Sequence, residues 1–276
     1  MRFASVLYDG LPHAVAIDGE TAVPLTNIAE LGVHTSQELL RDPPLDRGAA
    51  FALSQATVRP LIPRPGKIIC VGLNYRAHIE ETHRDDSDYP VLFTKFATSL
   101  TGAYDAIECP PESHEVDYEG ELAVVIGAVA RRLDPADALD AVAGYTVAND
   151  VTMRDFQYRT HQWLQGKAWD ASTPLGPALV TTDEAPDPGA LTLRTLVNGE
   201  IVQETTTDLM IFPVRTLVSV ISQFTTLEPG DVILTGTPAG VGFRREPKLL
   251  MTDGDVAVVE IEGIGRTENR FVGASR

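Results

Sequence analysis

Two glutamates separated by one glycine, Glu119-Gly120-Glu121, open the apolar part of the run Asp117 to Gly127. The run reads as a strand, because it closes in Val124, Val125 and Ile126 and strand side chains alternate faces with a period of two. Glu119 and Glu121 then project to one face and Gly120 to the other. Carboxylates held side by side repel each other unless solvent, a cation or a shared proton neutralises them. A hard divalent ion such as Mg²⁺ or Mn²⁺ suits the pair, since it takes oxygen ligands from a few carboxylates plus water and substrate. A solvent-facing edge strand would need no ion, but the apolar sequel carries this strand toward a core.

A second constellation follows the apolar stretch Lys67 to Val71 and Gly72. If the segment after Asn74 is helical, His78 and Glu81 are three apart and meet on one face. An imidazole oriented by a carboxylate is a general acid/base unit; the same pair on a solvated face would do nothing. His78 and His83 are spaced wrongly for the zinc chelation of a four-spaced pair. The polar segment 84 to 90 then reads as a loop, either a lid or a plain surface excursion. Its Asp86-Ser87-Asp88 lacks the glycine and closing glutamate of a calcium loop. Val91 to Lys95 returns as a strand with Lys95 on an apolar face, as a snorkelling edge residue or as a site cation that contacts substrate.

These residues need a globular frame, and the composition supplies one. The chain has 276 residues with ordinary apolar and charged fractions, enough for one large domain with a small appendage. Its 22 basic and 39 acidic side chains leave a net charge of −17, which argues against nucleic-acid and anionic-membrane partners. Cys70 and Cys109 are too few for a disulfide framework, so a reducing cytoplasm is expected. The N-terminal residues lack the apolar core of a signal peptide, and no run has transmembrane length.

Residues 1 to 60 form a small leading α/β module, with strands over Phe3 to Tyr8 and Ala14 to Ile17 and short helices over Ile28 to Leu31 and Ser36 to Leu40. The proline-rich segment Arg59 to Gly66 reads as an extended linker and places the domain boundary, so residues 61 to 276 form the catalytic, metal-binding domain. Asp134-Pro135 has the form of a helix start running to Val142. Gly144 to Ala148 is a strand ending at Asp150, a carboxylate that serves as a cap or as a ligand. A helix from Thr152 to Gly166 is expected next, with Thr152 and Asp155 as a capping box and Arg154, Gln157 and His161 on its polar face. Asn198-Gly199 turns a hairpin, Val214 to Ile221 gives a helix, and Val232 to Leu234 a strand. The loop Thr235 to Gly242 lacks the lysine of a phosphate loop, so nucleotide binding is not expected. Its amides and hydroxyls, that of Thr237 included, are suited to holding a carboxylate.

Six motifs in order, Gly72 to His78, Asp117 to Leu122, Gly144 to Asp150, Gly176-Pro177, Val197 to Glu200 and Glu228 to Pro238, resemble the fumarylacetoacetate hydrolase family. The match runs from about Lys67 to the C-terminus. The resemblance implies a β-rich α+β fold, a mixed-sheet roll or sandwich, usually dimeric, with one Mg²⁺ or Mn²⁺ ion per chain on Glu119, Glu121 and Asp150. It further implies that His78 and Glu81 handle protons or activate water, that Lys167 lies near the substrate, and that Arg154 and Gln157 contact it.

Such residues support enolate chemistry on a small 2-oxo acid, with metal and lysine charge gathered where the oxyanion develops. Water delivered by His78–Glu81 gives C–C hydrolysis of an acylpyruvate in aromatic catabolism, the leading expectation. Without water, the same enolate leads to isomerisation of a 2-hydroxyhepta-2,4-diene-1,7-dioate or decarboxylation of oxaloacetate. A catalytically silent metal-binding protein on the same fold is the alternative of another class.

Overall fold

A computed structural model describes residues 1–85, 87–185 and 187–274; Asp86 of the polar loop lies outside the described residues. The fold is the expected β-rich α+β arrangement of mixed sheets. A twelve-stranded sheet carries the site. At its centre Thr173–Thr181, Val142–Asn149, Gly120–Ile126, Val232–Leu234 and Ile68–Gly72 lie side by side. Most of these pairs are antiparallel, whereas Val232–Leu234 runs parallel to Ile68–Gly72. A five-stranded sheet, Glu200–Thr206, Thr192–Val197, Val256–Ile261, Gly265–Gly273 and Ile107–Cys109, packs against it.

The strand Gly120–Ile126 is buried along its whole length and shows why both of its faces are apolar. Leu122, Val124 and Ile126 pack with Leu193, Val259 and Ile261 of the smaller sheet and with Leu217 and Ile221 of a helix. Ala123 and Val125 point the other way, into a cluster with Leu61, Ile62, Leu175 and Phe3. Five helices are described: α1 Gln37–Arg41, α2 Arg76–Thr82, α3 Arg154–Gln157, α4 Leu164–Lys167 and α5 Val214–Phe224. The stripe expected on α5 is buried as a unit, Val214, Leu217, Val218 and Ile221. At the hairpin turn Asn198 and Gly199 take φ of 52° and 87°, the left-handed pair that twists two strands together.

Five local expectations fail, most of them because a distant partner competes. The linker is not free: Leu61 and Ile62 are buried, and Leu61 N–H donates to the Leu175 carbonyl. The first module joins the large sheet, since Arg2–Tyr8 pairs with Thr173–Thr181. No helix forms over Ile28 to Leu31, where Ile28 N–H turns back to the Leu25 carbonyl. The Asp134 helix shrinks to a 3₁₀ turn, Ala138–Ala141, because Val142 is recruited into a strand. The Thr152 to Gly166 helix is broken into α3 and α4. Thr152–Met153 instead pairs with Val116–Asp117, the Thr152 hydroxyl donates to the Asp150 carbonyl, and Asp155 accepts from Ser113, so no capping box forms.

Candidate active site

Strand register brings the carboxylates together. Gly120 lies opposite Asn149 across the antiparallel pair, so the residues just outside that pair, Glu119 and Asp150, become neighbours. Asp150 N–H donates to the Glu119 carbonyl at 2.8 Å, and Glu119 N–H donates to the Asn149 side-chain oxygen at 2.9 Å. Carboxylate oxygens of Glu119, Glu121 and Asp150 lie within 4.8 Å of one another, all three residues buried. The period-of-two reading of Glu119 and Glu121 and the separate reading of Asp150 thus converge on one point.

Three buried cations surround this cluster. The Lys167 ammonium bridges Glu119 Oε2 at 2.6 Å and Asp150 Oδ2 at 2.7 Å. Lys95 Nζ lies 2.5 Å from Asp150 Oδ1 with no exposed side-chain surface. It therefore backs a carboxylate from below and does not line the cleft, contrary to the expected substrate contact. The Arg154 guanidinium reaches Glu119 Oε1 at 2.6 Å, Asp117 Oδ2 at 2.8 Å and the Gln157 side-chain oxygen at 2.9 Å. Lys95, Arg154 and Lys167 thus pair with Asp117, Glu119 and Asp150, and of the four buried carboxyls only that of Glu121 is left without a cation among the described residues.

Glu121 accepts the Gly236 N–H at 2.7 Å, but no cation pairs with it among the described residues. Burial, with Asp150 and Glu119 beside it, pushes its carboxyl well above the usual range. Burial acts on Glu119 too, yet Lys167 and Arg154 outweigh it and hold that carboxyl at about 2. Burial opposes the charge on Lys167, but Asp150 and Glu119 outweigh it and raise the ammonium's pKa. An all-oxygen, buried, net-negative donor set with one carboxylate lacking a counterion fits a hard divalent cation.

The His78–Glu81 contact expected from their helical spacing is formed. His78 Nδ1 is 2.7 Å from Glu81 Oε1 on α2, and both belong to a half-open helix face. The loop after Leu234 is what joins this pair to the carboxylate cluster. Its backbone amides serve three carboxylates: Gly236 N–H to Glu121, Gly240 N–H to Glu81 at 2.9 Å, and Gly242 N–H to Asp117 at 2.8 Å. The sequence reading gave this loop a carboxylate-holding role, and the carboxylates it holds are the protein's own. The Thr237 hydroxyl accepts from Gln203, whose side-chain oxygen accepts the Gly120 N–H.

His78, Glu119, Arg154, Gln157, Lys167 and Thr237 line one cleft. His161, on the expected polar face, is exposed and does not line it. Asp117, Gln203, Arg84 and Arg244 were not singled out from sequence. Asp117 sits in the same motif as Glu119, and its only local signal was a charge placed at the mouth of a buried strand.

A β-sandwich that buries a carboxylate triad, bridging cations and a His–Glu pair around one cleft defines an enzyme site for a small molecule. The chain belongs to the fumarylacetoacetate hydrolase family, residues 67–272 matching the model for the fumarylacetoacetate hydrolase C-terminal domain. Oxaloacetate tautomerase Fahd2a, mitochondrial, of Rattus norvegicus is 48% identical over 220 residues, 79% of this chain and 70% of that protein. A fumarylacetoacetate hydrolase from psychrophilic Exiguobacterium antarcticum has TM-score 0.86 at 38% identity, covering 99% of this chain and 100% of that one. A 2-hydroxyhepta-2,4-diene-1,7-dioate isomerase from Mycobacterium marinum has TM-score 0.84 at 35% identity, covering 100% of both chains.

Proposed function

We propose that this protein is a divalent-metal enzyme that interconverts the keto and enol forms of a small 2-oxo acid, with oxaloacetate as its substrate. This revises the hydrolytic expectation toward isomerisation. The observation that carries it is that His78 of the His–Glu pair and Glu119 of the carboxylate cluster line the same cleft. The oxaloacetate tautomerase relative, aligned over four fifths of the chain, supports the choice of substrate.

A divalent ion held by Glu119, Glu121 and Asp150 would supply Lewis acidity to the carboxylate and keto oxygen of the substrate. His78 Nδ1 is held by Glu81, which leaves Nε2 to take a proton from the carbon next to the ketone and deliver it to the enolate oxygen, the reverse transfer giving back the keto form. Gly240 N–H holds the far oxygen of Glu81, so the ring keeps its orientation. Lys167 adds positive charge where the enolate oxygen develops. Gln157 fixes Arg154, whose guanidinium borders the cleft. Both cysteines are free thiols, which suits a reducing compartment: the cytoplasm expected from sequence or the mitochondrial setting named for the rat relative. Among the described residues no helix is long and apolar enough to cross a membrane.

Hydrolysis of an acylpyruvate is the second reading, favoured by the Exiguobacterium structure. The test is incubation of the Mn²⁺-loaded protein with enol-oxaloacetate, an acylpyruvate and a 2-hydroxy-dienedioate, with products followed by ultraviolet absorbance and mass spectrometry. Faster enol–keto interconversion, abolished by chelator and restored by Mg²⁺ or Mn²⁺, is the expected result. Cleavage of the acylpyruvate without catalysed interconversion of oxaloacetate would replace this reading with hydrolysis.

A further inference from the structure

The mouth of the cleft carries two arginines that the chemistry above does not use. Arg84, just after α2, and Arg244, after the glycine-rich loop, both line it and both are exposed. Neither forms an ion pair among the described residues, although the chain as a whole carries a net charge of −17. Two guanidiniums far apart in the chain thus converge on one cleft.

Aromatic rings hold them without consuming their charge. Arg84 lies over Trp163 at 5.6 Å from the ring centre, and Trp163 packs edge-on against Phe93 at 5.5 Å. Arg244 lies over Phe243 at 5.5 Å, and Phe243 packs on Tyr158, also at 5.5 Å. A cation over an aromatic face is attracted by the ring quadrupole while its N–H groups stay free to donate. Phe243 is itself anchored, its N–H donating to Asp117 at 3.1 Å.

Charge balance says what these groups are for. The buried cations are already taken by the protein's own carboxylates, Lys95 by Asp150, Lys167 by Glu119 and Asp150, and Arg154 by Asp117 and Glu119. A second carboxylate on the same substrate finds no cation left inside and must be met at the mouth. Resting on the reading of a 2-oxo acid substrate, we propose that Arg84 and Arg244 form a rim that binds the distal carboxylate and selects 2-oxo dicarboxylates over 2-oxo monocarboxylates.

The metal-loaded protein and its Arg84→Gln, Arg244→Gln and Arg244→Lys variants are compared by calorimetry with oxaloacetate, 2-oxobutyrate and oxalate. The first two ligands share four carbons and differ only at the distal carboxylate, and oxalate has no distal arm. Proton exchange at the carbon next to the ketone, read by NMR in D₂O, gives KM and kcat separately. The wild type prefers oxaloacetate to 2-oxobutyrate. Each glutamine variant raises Kd and KM for oxaloacetate by roughly tenfold to a hundredfold, the worth of a charged hydrogen bond, and Arg244→Lys recovers part of the loss. Oxalate affinity stays near wild type, and added salt weakens oxaloacetate binding more in the wild type than in the variants. Unchanged oxaloacetate affinity in both glutamine variants, or oxalate affinity falling in step with it, overturns the rim. Preferential oxaloacetate binding without catalysed exchange refutes the tautomerase reading and upholds the rim; catalysed exchange that is indifferent to both arginines does the reverse.

Discussion

Glu121 is the residue on which metal and stability meet. Burial, with Asp150 and Glu119 beside it, pushes its carboxyl above the ordinary 4.5. A raised carboxyl contributes stability that is complete below the unfolded pKa and is lost as pH rises through the folded one. Glu119 works oppositely: lowered to about 2 from 4.5, it contributes stability above 4.5 that is lost as pH falls toward 2. In chelator, thermal stability is therefore expected to decline as pH rises above about 4.5, and saturating Mn²⁺ is expected to remove that decline. Glu121→Gln should raise the metal-free melting temperature at neutral pH by roughly a few degrees and abolish stabilisation by Mn²⁺. Differential scanning fluorimetry with and without metal measures both, and a variant still stabilised by Mn²⁺ would remove Glu121 from the ligand set.

At the same scale, His78 and Lys167 divide the work differently. His78 touches Glu81 and borders the cleft, whereas Lys167 also bridges two of the clustered carboxylates. His78→Ala is expected to lower kcat for enol–keto interconversion by about 10²- to 10⁴-fold while Mn²⁺ affinity by calorimetry stays near wild type. Lys167→Ala removes a buried cation from Glu119 and Asp150 and should cost on the order of 3–5 kcal/mol in metal-free stability as well as activity. A His78→Ala protein whose metal affinity falls in step with its rate would assign the histidine to the metal.

At the scale of elements, the loop from Thr235 to Phe243 couples the parts. One amide reaches the carboxylate cluster, one reaches the His–Glu pair and two reach Asp117, the counterion of Arg154. Gly242 is tied to this geometry by space: a β-carbon there would lie 1.8 Å from the Leu249 carbonyl oxygen and 2.7 Å from Asp117 Oδ1. The Gly242→Ala backbone has to move, and the amide contact to Asp117 goes with it. We expect a loss of about 3 kcal/mol or more in denaturant unfolding, with a fall in kcat larger than that from Asn198→Ala at a remote turn. A Gly242→Ala protein of wild-type stability and rate would show that the loop does not transmit its position to the site.

For the molecule as a whole, the small N-terminal module and the catalytic region share one sheet. Phe3, Ala14 and Ala16 lie in the same apolar cluster as Leu175, Leu179, Ala123 and Val125. Removing residues 1–60 strips the strand Arg2–Tyr8 from Thr173–Thr181 and exposes that cluster. The truncated chain is expected to be insoluble or to lose its near-ultraviolet circular dichroism, even though every site residue lies outside the deletion. A soluble, cooperative, Mn²⁺-binding truncation would establish residues 61–276 as a self-sufficient domain.

What the sequence determined alone is the part governed by local periodicity. A period of two put Glu119 and Glu121 on one face, three-residue helical spacing joined His78 to Glu81, Asn198-Gly199 dictated its turn, and the apolar stripe of α5 dictated its buried side. These outcomes depend on neighbours a few residues away, and backbone geometry fixes their direction whatever lies beyond. Only the tertiary structure decided the rest, because the partners are far apart in the chain. Asp117 became an anchor through amides 125 and 126 positions on, and Lys95 turned inward to Asp150, 55 positions on. The helix expected from Thr152 broke because pairing with Val116–Asp117 satisfied its first residues better than another helical turn. Local spacing states which way a side chain points along its own element. Long-range pairing states what it meets there, and on that meeting depended the charge balance and the cleft.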